Sequence, residues 1–168
     1  MLPVIFGLSG PRLTADEQSF FRDANPAGYI LFARNIEHPD QLRGLTDALR
    51  SLGGRDDVPI LIDQEGGRIA RLGPPHWRVW PAAAALAGLS DSRASTDLDR
   101  AIARVHCNYE ALGLELTAMG INVTCAPVLD VPQPDAHDII GERACARAPE
   151  AVATQGRADL AGMQGTGA

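Results

Sequence analysis

The residues best suited to chemistry lie in one short stretch, from Asp63 to Arg71. The apolar run from Val58 to Ile62 comes directly before it, and a run this short, followed by glycines, predicts a strand buried on both faces. Such strands form parallel α/β sheets, whose ligands bind at the carboxyl ends of strands, where Asp63 falls. A carboxylate accepts hydrogen bonds from hydroxyl groups, and an arginine donates them in a rigid fork. The stretch therefore predicts a site for a hydroxyl-rich ligand, although a strand cap with a surface ion pair would use the same residues.

Two features beside Asp63 and Arg71 bear on this site. Gly66 and Gly67 allow the chain to turn sharply and to approach a ligand closely. Arg68 and Arg71 would share one face if a helical turn followed the glycines. A further carboxylate, Asp130, follows another predicted strand end, where it either contacts a ligand or caps the strand.

Composition excludes several classes of function. The chain has 168 residues, of which 45% are hydrophobic and 21% charged, as expected for one globular domain. Its net charge of -6 argues against non-specific nucleic-acid binding. All 15 basic residues are arginines, so neither a Schiff-base lysine nor a P-loop is present. No apolar stretch approaches the roughly 18 residues of a membrane span, and the N-terminus lacks the basic region of a secretory signal.

The three cysteines, Cys107, Cys125 and Cys145, are odd in number and widely spaced. This pattern predicts neither a disulfide framework nor a zinc site, but buried free thiols. A reducing cytoplasm is therefore the expected compartment. The four histidines have no partner histidine at i+4 and no metal-ligand spacing, so no metal site is predicted either.

The order of predicted elements is β-α-β-α-β-α-β-α. Strands are predicted over residues 3–8, 28–33, 58–62 and 121–126. Helices are predicted after the capping box at Thr14, from Pro39 to the Gly53-Gly54 pair, from about Arg93 to Met119, and from Pro149 onward. Loops are predicted over residues 72–87 and 132–147. Alternation of this kind gives a parallel sheet with right-handed crossovers, and a doubly wound sheet would need an early G-x-G-x-x-G, which is absent. A (β/α)₈ TIM barrel needs about 250 residues, so the four βα units predict half of one.

Four motifs carry a resemblance to a known family, and they occur in family order along nearly the whole chain. They are Gly28-Tyr29-Ile30-Leu31-Phe32-Ala33-Arg34-Asn35, Ile62-Asp63-Gln64-Glu65-Gly66-Gly67-Arg68, Ala126-Pro127-Val128-Leu129-Asp130-Val131 and Ile140-Gly141-Glu142-Arg143. The chain resembles the N-terminal half of a family 3 glycoside hydrolase, and more narrowly the bacterial cytoplasmic β-N-acetylhexosaminidases of cell-wall recycling. Residues 1–168 would then be half of one TIM-barrel domain, with no second domain.

The resemblance implies removal of terminal β-linked N-acetylglucosamine from cell-wall fragments by a retaining mechanism. It assigns Asp63, Arg71 and Arg143 to binding the hydroxyl groups of the sugar, and it implies no metal and no cofactor. The only partner that it implies is this small-molecule carbohydrate, without nucleic acid or membrane. Among the histidines, His137 lies nearest the expected ligand.

The groups of the chemical step are expected beyond residue 168. In the family the nucleophile is an aspartate on a late strand, and the acid/base is a histidine on a loop after the fifth strand. No catalytic residue is therefore assigned to this chain, which we expect to be inactive by itself. Asp63, Glu65 and Asp130 are unsuitable substitutes for the missing nucleophile and acid/base, because the sequence shows no partner that would orient one of them as an acid.

Three alternatives stay open at the level of sequence. The chain could be a non-catalytic half-barrel that binds sugars and oligomerises to cover its open sheet edges. It could belong to a related β-glucosidase. A phosphate-binding barrel enzyme is poorly supported, because the loops after late strands that usually hold phosphate would lie outside these residues.

Overall fold

A computed structural model describes residues 1–87, 95–133 and 138–168. The described residues contain five helices and four strands, with two helices in succession between the third and fourth strands and single 3-10 turns at Ala33–Asn35 and Gly141–Arg143. The strands are β1 (Leu2–Gly7), β2 (Pro26–Leu31), β3 (Ile60–Ile62) and β4 (Val123–Thr124). The helices are α1 (Ala15–Ala24), α2 (Pro39–Gly53), α3 (Ala83–Ala87), α4 (Ser95–Ala118) and α5 (Pro149–Gln164).

The four strands form one open parallel sheet in the order β1-β2-β3-β4. Tyr29 of β2 pairs with Ile60, and Leu61 of β3 pairs with Val123. Because every strand runs in the same direction, their carboxyl ends meet at one edge of the sheet. The loops that follow β2, β3 and β4 therefore converge there. This architecture confirms the predicted first four βα units of a barrel.

The core lies between the central strands and one face of each long helix. Helix α2 contributes Leu42, Leu45 and Leu49, and the spacing of 3 and 4 residues puts all three on one side. Helix α4 contributes four buried residues whose spacing of 4, 3 and 4 also puts them on one side of the helix: Val105, Tyr109, Leu112 and Leu116. Full burial of a side chain of this size stabilises a fold by about 1.5–3 kcal/mol, so the apolar faces of these two helices hold them against the sheet.

The helix ends follow the signals that the sequence carries. Thr14 accepts a hydrogen bond from the Glu17 amide at 3.1 Å, and the Glu17 side chain accepts one from the Thr14 amide at 3.0 Å, so the predicted capping box is present. Pro39 occupies the first turn of α2. Gly54 ends that helix with φ of 59°, a left-handed conformation that glycine adopts without strain.

Four expectations are corrected by the structure. The segment predicted as a loop over 72–87 contains α3, because a run of alanines favours a helical turn. No helix follows the Gly66-Gly67 pair, since Gly66 pairs with Ile69 in an isolated bridge. Strand β4 is shorter than predicted, although the amide of Cys125 still donates to the carbonyl of Ile62 at 3.1 Å. Among the cysteines only Cys145 is buried, whereas Cys107 and Cys125 are exposed.

Candidate carbohydrate site

The centre of the candidate site is an ion pair at the carboxyl end of β3. The Asp63 carboxylate and the Arg71 guanidinium lie 2.7 Å apart, and the exposed fractions of their side chains are 24% and 26%. Both side chains are thus about three-quarters covered by protein while still reachable by a ligand. The Nε of Arg71 is buried and has no hydrogen-bond partner in the described part of the chain. An unpaired buried donor costs about 1–3 kcal/mol, so this arrangement is not optimised for stability alone.

Gln64 holds Arg71 in position. Its side chain is fully buried, and its Oε1 accepts hydrogen bonds from the amides of Arg71 and Leu72 at 2.7 and 2.9 Å. Its Nε2 donates to the carbonyl of Leu72 at 3.0 Å. One side chain therefore ties the returning loop to the end of β3. Sequence reasoning missed this role, although a glutamine two residues past the end of a buried strand is a polar group that needs hydrogen-bond partners inside the fold.

Glycine is required at the two positions after Glu65, because the backbone of this turn lies very close to the backbone of the segment before α3. Gly66 has φ of 95°, and a Cβ there would lie 2.1 Å from the carbonyl oxygen of Pro81. Gly67 has φ of 56°, and its amide donates to the carbonyl of Trp80 at 2.9 Å. The turn is therefore pressed against the segment before α3, and a side chain at Gly66 would push the two apart.

A second ion pair joins this turn to the loop after β4. Arg143 donates to both oxygens of Glu65, from Nε at 2.7 Å and from a terminal nitrogen at 2.9 Å. The Glu65 side chain is only 9% exposed, whereas that of Arg143 is 25% exposed. The hydrogen bonds to Glu65 raise the pKa of Arg143, with further contributions from the charges of Asp130 and Asp63. A bidentate pair of this kind fixes the plane of the guanidinium.

Further contacts bind the same two loops together. The amide of Arg68 donates to Glu142 at 3.2 Å, and the guanidinium of Arg68 donates to the carbonyls of Ile139 and Ile140. Arg68 therefore spans the loops, which differs from the shared helical face with Arg71 that the sequence suggested.

Cys125 lies at the end of β4, beside Asp63. Although Cys125 as a residue is exposed, partial burial of its thiol, and after it the neighbouring Asp63 carboxylate, raise the pKa of this thiol to about 11. At neutral pH the thiol is therefore protonated and adds no charge to the site. No local pattern connects Cys125 with Asp63, because the two residues are 62 positions apart and meet only through the pairing of β3 with β4.

The three residues predicted to bind sugar thus lie on two linked loops at one edge of the sheet, in two separate ion pairs. Asp130 is exposed and close enough to influence the pKa of Arg143. His137, the histidine predicted nearest the ligand, falls outside the described residues. A polyhydroxylated ring is recognised by carboxylates, which accept hydrogen bonds from its hydroxyl groups, and by arginines, which donate hydrogen bonds to its hydroxyl oxygens. Both kinds of group are present here in partly buried positions.

A cleft of about 380 Å³ adjoins the site, between the loop after β2 and residues 70–80. Arg71 and Gly67 contribute to its wall, and so do Glu37, His76 and Trp77.

No helix in the described ranges is long and apolar enough to cross a membrane.

A parallel β/α half-barrel with a polar cluster at its carboxyl edge is the class of protein that this fold and site define. The sequence profile described as "Glycosyl hydrolase family 3 N terminal domain" matches residues 3–168. The chain belongs to this family.

Individual relatives agree with this assignment. The chain is 38% identical over 163 residues to the Beta-hexosaminidase of Methylococcus capsulatus, covering 97% of this chain and 46% of that protein. The crystal structure of native NagZ from Neisseria gonorrhoeae superposes with a TM-score of 0.86 at 32% identity, over 97% of this chain and 46% of that one. The same enzyme in complex with N-trifluoroacetyl-D-glucosamine gives the same values. The chain therefore spans about half the length of the relatives it matches.

Proposed function

We propose that these residues form the N-terminal half of the catalytic barrel of a β-N-acetylhexosaminidase. The whole enzyme would remove terminal β-linked N-acetylglucosamine from cell-wall-derived glycosides by a retaining mechanism. The observation that carries the proposal is the pairing of Asp63 with Arg71 and of Glu65 with Arg143 at the carboxyl edge of the sheet. The names of the relatives support the same activity.

Each residue has a distinct role in this proposal. Asp63 accepts hydrogen bonds from sugar hydroxyls, and Arg71 and Arg143 donate to hydroxyl oxygens from opposite loops. Gln64 and Glu65 act as positioning residues, because the first fixes the backbone of Arg71 and the second fixes the guanidinium of Arg143. The half-buried setting strengthens these hydrogen bonds relative to water.

The chemical step belongs to groups outside these residues. A retaining glycosidase needs a nucleophile and an acid/base on either side of the anomeric carbon. We assign the nucleophilic aspartate and the acid/base histidine to the second half of the barrel, and we assign no metal or cofactor to this chemical step. The described half binds the sugar and sets its orientation, so the 168-residue chain alone should release no product.

The substrates and the compartment follow from the same proposal. N-acetylglucosamine-containing muropeptide fragments would be the ligands, within peptidoglycan recycling in the cytoplasm, without nucleic-acid or membrane partners. Support comes from the relative solved with an N-acylated glucosamine and from the net charge of -6. Recovery of the enzyme from the periplasmic fraction of its host would contradict the compartment.

The test is hydrolysis of nitrophenyl β-N-acetylglucosaminide by the longer protein that contains these residues. Arg143→Lys should lower kcat/KM at least about tenfold, because lysine cannot reproduce a bidentate pair. Arg147→Lys, at an exposed position four residues further on, is the matched control and should keep full activity. Turnover of nitrophenyl β-glucoside in preference to the acetamido sugar would show a β-glucosidase instead. Activity of the 168-residue chain alone would refute the assignment of the chemical step.

A further inference from the structure

A second cluster of chemically capable side chains lies on α4. The ligating atoms of His106, Cys107 and Glu110 are all within 4.8 Å of one another. His106 is half-buried, whereas Cys107 and Glu110 are exposed. Nothing in the proposed glycosidase function uses these residues, which lie on a helix rather than on the loops that carry Asp63, Arg71 and Arg143.

The three donors suit a borderline divalent cation. Imidazole nitrogen, thiolate sulfur and carboxylate oxygen are the ligand types that Zn²⁺ accepts, at about 2.0–2.3 Å from the metal. Tetrahedral coordination at those lengths puts ligand atoms about 3.5 Å apart. The atoms of the cluster therefore need to approach one another by only about 1 Å, which side-chain rotation can provide. Hard cations such as Mg²⁺ prefer all-oxygen sites and would not select a thiolate.

The backbone beneath the cluster is held by another helix. Gly162 of α5 packs so closely that a Cβ there would lie 2.4 Å from the carbonyl oxygen of His106 and 3.0 Å from the amide of Glu110. This contact clamps the turn of α4 that carries the three donors. A fixed backbone lowers the entropic cost of gathering the ligands, since only the side chains remain to be ordered.

We propose that His106, Cys107 and Glu110 form a Zn²⁺ site with three protein ligands and one position open to water. The histidine and the glutamate are four residues apart, so they lie on one face of the helix. The cysteine comes from the adjacent position. Neither the wide spacing of the cysteines nor the spacing of the histidines indicates a mixed set of this kind in the sequence.

The test is titration of the 168-residue chain with Zn²⁺ against a competing chelator, followed by Co²⁺ substitution. We expect one metal ion for each chain and, with Co²⁺, the absorption band of a thiolate ligand. Cys107→Ser should remove that band and weaken Zn²⁺ binding by more than about tenfold, because even loss of an outer partner of a metal ligand typically costs 10- to 100-fold. Cys125→Ser, at the other exposed cysteine, is the matched control and should leave binding unchanged.

Two further variants complete the set. His106→Ala and Glu110→Gln should each weaken binding while leaving the helical circular dichroism unchanged, which separates loss of a ligand from loss of the fold. Absence of stoichiometric binding to the folded chain would overturn the proposal. So would equal effects of Cys107→Ser and Cys125→Ser, or one metal ion shared between two chains.

Discussion

At the scale of single residues, the candidate site depends as much on its supports as on the groups that would touch a sugar. Asp63 and Arg71 meet because the Gln64 side chain holds the loop between them by accepting a hydrogen bond from the Arg71 amide. The guanidinium of Arg143 is oriented by its hydrogen bonds to the buried Glu65. A buried polar side chain with all its partners makes a rigid support, whereas removal of one leaves several backbone groups without partners.

Replacement of Gln64 should therefore cost stability as well as binding. Gln64→Ala removes three hydrogen bonds and leaves the amides of Arg71 and Leu72 unpaired, so we expect the free energy of unfolding to fall by about 2–4 kcal/mol. Urea denaturation followed by circular dichroism measures the loss. Gln164→Ala, at an exposed position of α5, is the control and should change stability by less than about 0.5 kcal/mol. Equal stability of the two variants would show that Gln64 is not a structural support.

At the scale of secondary-structure elements, periodicity and capping signals predicted most of the fold. Alternating steps of 3 and 4 residues predicted α4, and the capping box at Thr14 predicted the start of α1, because both signals are local. The contacts of Gln64 and the pairing of Arg143 with Glu65 are not local, since the latter residues are 78 positions apart and meet only in the folded sheet. Asp63, Arg71 and Arg143 could be named from motifs, but the pairing of Arg143 with Glu65 could not.

Helix α5 carries a feature that no local pattern predicts, a buried carboxylate at Asp159. Its side chain is 1% exposed, and its Oδ1 has no hydrogen-bond partner within the described ranges. Burial raises the pKa of Asp159 to about 7. The acidic groups that face it are Tyr109 of α4 and Cys145, whose pKa values are also raised, first by their own burial and then by the charge of Asp159.

The stability of the fold should consequently fall as the pH rises. The unfolded chain loses the Asp159 proton near pH 4 and the folded chain near pH 7, so the unfolded state binds fewer protons between these values. The contribution of Asp159 to the free energy of unfolding is then most favourable below pH 4. It is lost as the pH rises through about 7, and the loss amounts to up to about 4 kcal/mol.

Asp159→Asn tests this expectation, because asparagine has nearly the same shape and cannot ionise. We expect the variant to be more stable than the parent at pH 8 and the difference to shrink steadily towards pH 4. Asp47→Asn, at an exposed position of α2, should show no such trend. A difference in unfolding free energy that does not vary with pH would mean that Asp159 is ionised in the folded state.

At the scale of the whole molecule, the sheet is open along β1. Leu2, Val4 and Ile5 are 42%, 38% and 47% exposed, although they belong to a strand whose neighbour β2 is largely buried. An exposed apolar edge strand invites pairing with another chain. The remaining half of a barrel would cover this edge in the longer protein, whereas the 168-residue chain by itself leaves it accessible.

The isolated chain should accordingly self-associate, and a charge on β1 should reduce the association. We expect light scattering to show an apparent mass that rises with concentration, and Ile5→Lys to shift this rise to at least about tenfold higher concentration, since edge lysines oppose strand pairing. Val79→Lys, at a 72% exposed residue of the loop after β3, is the control for added charge. A chain that stays monomeric at all concentrations would contradict both this prediction and the alternative of an oligomeric half-barrel.

The loop after β3 also contains a natural optical reporter. The chain has two tryptophans, Trp77 and Trp80, and both belong to this loop. The indole N–H of Trp80 donates to Glu115 of α4 at 2.7 Å, while the Arg78 guanidinium lies 4.3 Å from its ring centre. Intrinsic fluorescence therefore senses whether this one loop is docked on α4. A shift in emission that precedes the loss of helical ellipticity on heating would mark the temperature at which the loop after β3 leaves α4 while the helices are still folded.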